Sequence, residues 1–244
     1  KAWNFLISAN RFSTDVFERA FCVPREKIIE VGYPRNDILY SERADEIAKE
    51  VKKEFGIPED KRVILYAPTW RDDEFYGHAK YKFTLQLDLA KMQKELGDEY
   101  IILLRTHYFI ADVLDLSEYE GFAYNLSKYD DIARLYLISD VLITDYSSVF
   151  FDYANLRRPM LFFTYDLEKY RSVLRGFYID VEEELPGPML MTTDEVIGAL
   201  QNIEKVVTEY SDKYTAFCDK YCAWEDGTAA KKVVETVFSD KSNK

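Results

Sequence analysis

Three common phosphate and nucleophile signatures are absent from this sequence: it has no G-x-x-x-x-G-K-[ST] loop, no G-x-G-x-x-G turn and no G-x-S-x-G elbow. It also lacks an Asp-x-Asp pair and any cluster of Cys and His at metal-ligand spacing, so neither a metal nor an organic cofactor is expected. Cysteine is scarce and odd in number. Cys22, Cys218 and Cys222 cannot form a disulfide framework, which points to a reducing, cytoplasmic setting. Cys218 and Cys222 fall on one face of an expected helix and, with no further ligand nearby, read as small buried apolar residues. Positive charge is in deficit, with 32 Lys and Arg against 44 Asp and Glu and a net charge of -12, so nucleic acid is excluded as an expected partner. Any anionic ligand must be gripped locally. No apolar run approaches the roughly 18 residues that span a bilayer, and the opening KAWNFLISANRFS is not a secretory signal. The expectation is a soluble protein or one that rests on a membrane surface.

What is present is enough to build a sizeable core, since 48% of the 244 residues are apolar, and a prior of about 150 residues per domain gives one to two domains. Nineteen Tyr and sixteen Phe supply aromatic packing with a capacity for base stacking. WNFLIS reads as a buried strand at the very first residues, as in a sequence cut from something longer.

Along the chain, the patterns predict a strand over 5–9, a helix over 14–21 and a strand over 28–31, a βαβ unit that runs into the turn-forming stretch Gly32-Tyr33-Pro34-Arg35-Asn36-Asp37. From Ser41 the apolar positions Ala44, Ile47, Ala48, Val51 and Phe55 share one helix face, and Gly56 and Pro58 end it. The expected division is therefore 1–40 as the remnant of an N-terminal Rossmann-like lobe, 41–58 as a bridging helix and 59–244 as a C-terminal nucleotide-binding domain. In that domain the runs 63–67, 101–104, 141–144 and 160–163 read as strands, alternating with helices around 84–96, 129–138 and 148–156. Their near-continuous hydrophobicity predicts an α/β fold with a Rossmann-like parallel sheet covered by helices on both faces. Thr192 and Glu195 fit a capping box, followed by one helical stripe of Val196, Leu200, Ile203, Val207 and Tyr210.

Ligands of open parallel sheets bind beyond the carboxyl ends of the strands, so the residues after each run are the site candidates. These are Thr69 and Arg71 after the first, Arg105 and His107 after the second, and Asp145, Tyr146, Ser147 and Ser148 after the third. The third is a strand breaking into a helix whose first turn carries two hydroxyls; exposed N–H groups and the helix dipole there suit a diphosphate, and the alternative is that Ser147 only caps its own helix. His107, one of two histidines, can accept a proton or donate to a phosphate oxygen; the other, His78, reads as surface. Arg71 and Arg105 offer fixed positive charge, unless they form surface salt bridges with Asp72, Asp73 and Glu74. Asp152, one turn past Ser148, can accept from ribose hydroxyls or stay a solvated or capping carboxylate. Ser127 is chiefly a capping-box candidate for the next helix.

Five ordered motifs, GYPRND at 32–37, LYAPTWRD at 65–72, LLRTHY at 103–108, SDVLITDYSSVFFDYA at 139–154 and RRPMLFFTYDLEKYR at 157–171, resemble the CDP-glycerol glycerophosphotransferase family of teichoic acid primases and polymerases. The resemblance runs from Trp3 to about Trp224. It implies a GT-B-like architecture of two Rossmann-like lobes, the N-terminal one mostly missing here. It implies that Asp145 to Ser148 and Asp152 line the donor site, with His107 functionally essential. The family's catalytic base sits in a WHGTP-like motif, which this sequence does not contain. The implied reaction transfers glycerol phosphate, or a related polyol phosphate such as ribitol phosphate, from a CDP-polyol to a hydroxyl of a lipid-linked acceptor and releases CMP. The implied place is the inner face of the cell membrane, with the membrane surface as a partner of the full-length protein. Two other readings stay open: a nucleotide-sugar glycosyltransferase or epimerase of the same fold, and a non-catalytic nucleotide-binding fragment.

Overall fold

The computed structural model describes residues 3–238 apart from 70, 72–74, 77–79, 82–84, 107–113 and 175. The chain opens with β1 (Leu6–Ser8), α1 (Arg11–Ala20) and β2 (Ile28–Glu30), and the two strands pair in parallel. Asn10 starts α1, its side chain accepting from the Ser13 amide at 2.8 Å. The GYPRND stretch folds as a 3-10 helix over Pro34–Tyr40, and α2 follows as Ala44–Glu54. Gly56, at φ +62°, stops α2 as the glycine pattern predicts. Its N–H bonds the Lys53 carbonyl while the Ile57 N–H reaches back to Lys52, so two otherwise unpaired carbonyls are satisfied.

Beyond α2 come β3 (Arg62–Tyr66), the antiparallel hairpin β4 (Phe75–Tyr76) and β5 (Lys80–Tyr81), α3 (Leu89–Leu96), β6 (Tyr100–Leu104), β7 (Ala123–Asn125), α4 (Ile132–Ile138), β8 (Val141–Thr144), α5 (Val149–Tyr153) and β9 (Met160–Phe163). They are followed by α6 (Leu167–Lys169), α7 (Val181–Glu184), β10 (Met189–Leu190), α8 (Thr193–Gln201), α9 (Ile203–Glu209), α10 (Ser211–Tyr221) and α11 (Ala229–Phe238). Six strands form one sheet in the order β10-β9-β8-β3-β6-β7, every pairing parallel. Counted in chain order, that is the 3-2-1-4-5-6 arrangement of dinucleotide-binding folds, with its reversal point between β3 and β8.

Alternate residues of each strand point to opposite faces, and both faces are covered. Val63, Leu65, Leu103 and Leu142 enter one apolar cluster with α2, α4 and α5, while Ile64, Ile102, Ile143 and Leu161 enter the other with α3 and α8. This explains strands that read as unbroken apolar runs rather than alternating ones.

Several boundaries differ from the sequence expectation, for physical reasons. Asp131, not Ser127, starts α4, accepting from the Ala133 amide at 3.0 Å. The helix expected at 148–156 is a five-residue α5 that tightens into a 3-10 turn over Ala154–Leu156. The single stripe after Thr192 is two helices broken at Asn202, which leaves Val207 exposed, although the capping box of Thr192 and Glu195 is present. No helix among the described residues is long and apolar enough to cross a membrane.

Candidate functional site

Because β3, β6 and β8 lie side by side in parallel register, with Tyr66 opposite Leu104 and Ile143, the loops leaving their carboxyl ends converge. They close around a cavity of about 800 Å³ lined by Pro68 and Thr69 after β3, Arg105 and Thr106 after β6, Ser127 to Asp130 after β7, and Tyr146 to Ser148 after β8. Six residues singled out in the sequence, Thr69, Arg105, Ser127, Tyr146, Ser147 and Ser148, thus share one cavity at the reversal point of the sheet. His107 and His78 lie outside the described residues; His107 directly follows Thr106.

The structure sorts the candidates by what their polar atoms already bond. Arg71 is buried, its side chain 4% exposed. Its Nε and Nη2 grip Asp166 at 2.7 and 3.0 Å, Nη2 also lies 2.9 Å from Asp145, and Nη1 donates to the Thr69 carbonyl at 2.8 Å. Burial alone would lower its pKa, but the hydrogen bond to Asp166 and the Asp145 charge outweigh that and push it up. In this structure Arg71 and Asp145 are thus paired with each other and brace the β3 and β8 loops. Asp145 also accepts from the Thr69 amide at 2.8 Å, which fixes the turn that carries Thr69.

Asp152 is paired as well. Its carboxylate holds Arg35 side-on at 2.9 and 3.1 Å and accepts from the Asn36 side-chain amide at 3.0 Å, so it joins the 34–40 segment to α5. The hydroxyl of Ser127, 1% exposed, lies 2.8 Å from that of Thr106 and accepts from the Thr106 amide, clamping the ends of β6 and β7 together. Tyr146 donates to Asp166 at 3.1 Å and stacks on Tyr170 with ring centroids 4.0 Å apart, forming part of the cavity wall.

Four groups are left over. Arg105 donates from Nη1 to the Ser127 carbonyl, while its Nε is buried with no hydrogen-bond partner, and no carboxylate pairs with it among the described residues. Burial lowers its pKa because only weak fields from Tyr136 and Asp130 oppose it. The Thr69 hydroxyl is also buried and unpartnered. Ser148 is the residue at which α5 begins, yet no side chain caps that helix, so the hydroxyls of Ser147 and Ser148 are not used as caps. Unpartnered polar groups of residues that line a cavity, one of them a guanidinium without a carboxylate among the described residues, have the chemistry that suits an anion.

Sequence reasoning missed Asp166, although it follows the carboxyl end of β9 as the other candidates follow theirs, and the strand-end rule would have found it. Arg35 and Glu225 carried no comparable signal, since their partners are remote in sequence.

A six-stranded parallel sheet in the 3-2-1-4-5-6 order with a cavity at its reversal point defines an α/β Rossmann-like fold of GT-B-like type. The chain matches the CDP-Glycerol:Poly(glycerophosphate) glycerophosphotransferase family over residues 1–239, and it belongs to that family. It is 53% identical over 236 residues to the teichoic acid poly(glycerol phosphate) polymerase of Bacillus subtilis (strain 168), covering 97% of this chain and 32% of that protein. It is 46% identical over 237 residues to the teichoic acid glycerol-phosphate transferase of Staphylococcus aureus (strain NCTC 8325), covering 97% of this chain and 60% of that protein. The chain thus spans between a third and three fifths of the length of these relatives. Among solved structures, the wall teichoic acid polymerase TagF superposes with a TM-score of 0.90 at 49% identity, covering 98% of this chain and 58% of that one. A UDP-GlcNAc 2-epimerase from Neisseria meningitidis shares the fold, with a TM-score of 0.57 at 18% identity.

Proposed function

We propose that the chain holds CDP-glycerol in the cavity at the β3–β8 crevice and serves the transfer of glycerol phosphate to a hydroxyl of a growing teichoic acid. A relative named as a poly(glycerol phosphate) polymerase and a TagF structure titled as soaked with CDPG support this donor and this acceptor class. The single observation that carries the reading is Arg105, a guanidinium with no carboxylate partner among the described residues, lining one cavity with Thr69, Ser147 and Ser148.

In the reaction, the acceptor oxygen bonds to the distal phosphorus of the donor as the bond from that phosphorus to the bridging oxygen breaks. CMP leaves with the electron pair. The acceptor proton passes to a general base, which the family resemblance locates in a WHGTP-like motif outside this sequence. Negative charge grows on the transferred phosphoryl oxygens and on the leaving phosphate, so fixed donors at those atoms lower the barrier. Arg105 and the two serines supply them, and His107 joins them as a donor to a phosphate oxygen. The acceptor is lipid-linked and presented at the inner membrane face in this reading.

Titration calorimetry tests it with CDP, CDP-glycerol and a UDP-sugar. The cytidine nucleotides should bind best, and Arg105→Met should weaken them about 10- to 150-fold, the loss of one hydrogen bond to a charged group of about 1.5–3 kcal/mol. Preference for the UDP-sugar, or no cytidine nucleotide binding at all, would overturn the reading.

A further inference from the structure

A second cavity, of about 590 Å³, opens between α1, the 34–40 segment and residues 176–185. Tyr146 and Ser148 line both cavities, so the two meet where the donor's phosphates would lie. Among the described residues lining this second space, Arg35 is the one cation. Its side chain is 54% exposed. Asp152 takes its Nε and Nη2, and the Tyr33 ring lies 4.1 Å from the guanidinium carbon. That leaves Nη1 without a partner among the described residues, on a guanidinium that is already oriented and so loses little freedom when it binds. Phe12, Val16, Phe17 and Phe177 form an apolar wall of the same space. The nearby carboxylates are already engaged: Asp145 by Arg71, Asp152 by Arg35 itself, and Glu225 by the Tyr33 amide and the Asn36 side chain at 3.0 Å each.

We infer that this second cavity is the acceptor subsite, in which Arg35 grips the phosphate of the acceptor's terminal glycerol phosphate unit and sets its free hydroxyl toward Ser148. The inference rests on the donor reading above, because the polymer being extended defines the acceptor's end as glycerol phosphate. It assigns to the GYPRND motif a role that the donor cavity does not require. Arg35 is then a specificity residue for acceptor and not for nucleotide.

The test is titration of sn-glycerol 3-phosphate into this chain, with and without saturating CDP, followed by amide chemical shifts. Glycerol 3-phosphate should bind alongside CDP. Arg35→Gln should weaken it by at least about tenfold, the scale of a lost charge-assisted contact, while CDP affinity stays within about twofold; Arg35→Lys should recover part of the loss. Competition between the two ligands for one site, or undiminished glycerol 3-phosphate binding by Arg35→Gln, would overturn the inference. If wild type fails to bind CDP, the donor reading falls, whereas the CDP-free titration still decides the role of Arg35. If Arg35→Gln loses its amide dispersion, Arg35→Lys decides alone. A weakening of about threefold or more is expected, since lysine cannot both pair side-on and reach outward, and unchanged affinity would count against the subsite.

Discussion

Arg71 and Asp166 meet side-on inside the protein, Nε to Oδ2 at 2.7 Å and Nη2 to Oδ1 at 3.0 Å, and the same guanidinium reaches Asp145 at 2.9 Å. Removing one partner of a buried ion network leaves uncompensated charge. Arg71→Met strands two carboxylates at once, so it should cost about 3–5 kcal/mol of stability, measured by urea unfolding with an unchanged slope.

Arg105 predicts the opposite pattern. Its guanidinium is half-buried and, among the described residues, has no carboxylate partner and makes one hydrogen bond, to the Ser127 carbonyl. Arg105→Met should therefore change stability by no more than about 1 kcal/mol, while nucleotide affinity collapses. A residue that binds ligand without stabilising the fold shows this split. Parallel unfolding and binding titrations of the two arginine variants check it.

The two serines divide in the same way between capping and binding. Since no side chain caps α5, Ser147→Ala with Ser148→Ala should leave the melting temperature nearly unchanged, whereas lost caps would cost about 1 kcal/mol each. The same double variant should weaken CDP-glycerol binding. A lower melting point with intact affinity would restore the capping reading.

Glu225 gives a pH signature. Burial raises its pKa above the ordinary carboxylate value, against the bonds from Asn36 and the Tyr33 amide that pull it down. The folded protein then holds a proton that the unfolded chain releases, so this group's contribution is present below the unfolded pKa and is lost as pH rises through the folded one. Glu225→Gln should match or fall below wild type in acid and gain relative stability on going to neutral pH. Unfolding curves across that range check the sign.

Gly32 sits against the same carboxylate. Its φ of +87° is in the left-handed region, and a Cβ there would lie 3.0 Å from Glu225 Oε2 and from the Trp224 carbonyl oxygen. Gly32→Ala should destabilise the protein by about 1–3 kcal/mol, read as a lower melting temperature.

Much of this was legible in the sequence where a local pattern decides the structure. The buried runs 141–144 and 160–163 became β8 and β9 at those bounds, and Thr192 with Glu195 made its capping box. The strand-end rule gathered Thr69, Arg105, Ser127 and Ser147–Ser148 around one cavity. Short strands left no such trace: β7 and β10 have three and two residues, too few to show a run. Long-range pairing left none either. Arg35 and Asp152 are 117 positions apart, and spacing could not show that Asp152 was engaged by an arginine rather than open to ligand. Arg71 shows the same limit, because a cation next to a strand end looks alike in sequence whether two buried carboxylates await it or an empty cavity does.

The most direct measurement is a crystal structure of this chain with CDP-glycerol bound. The diphosphate should lie within hydrogen-bond distance of the Arg105 guanidinium and of the Ser147–Ser148 hydroxyls, with Arg71 still closed on Asp145 and Asp166. A diphosphate bound elsewhere, out of reach of the Arg105 guanidinium, would contradict the donor reading.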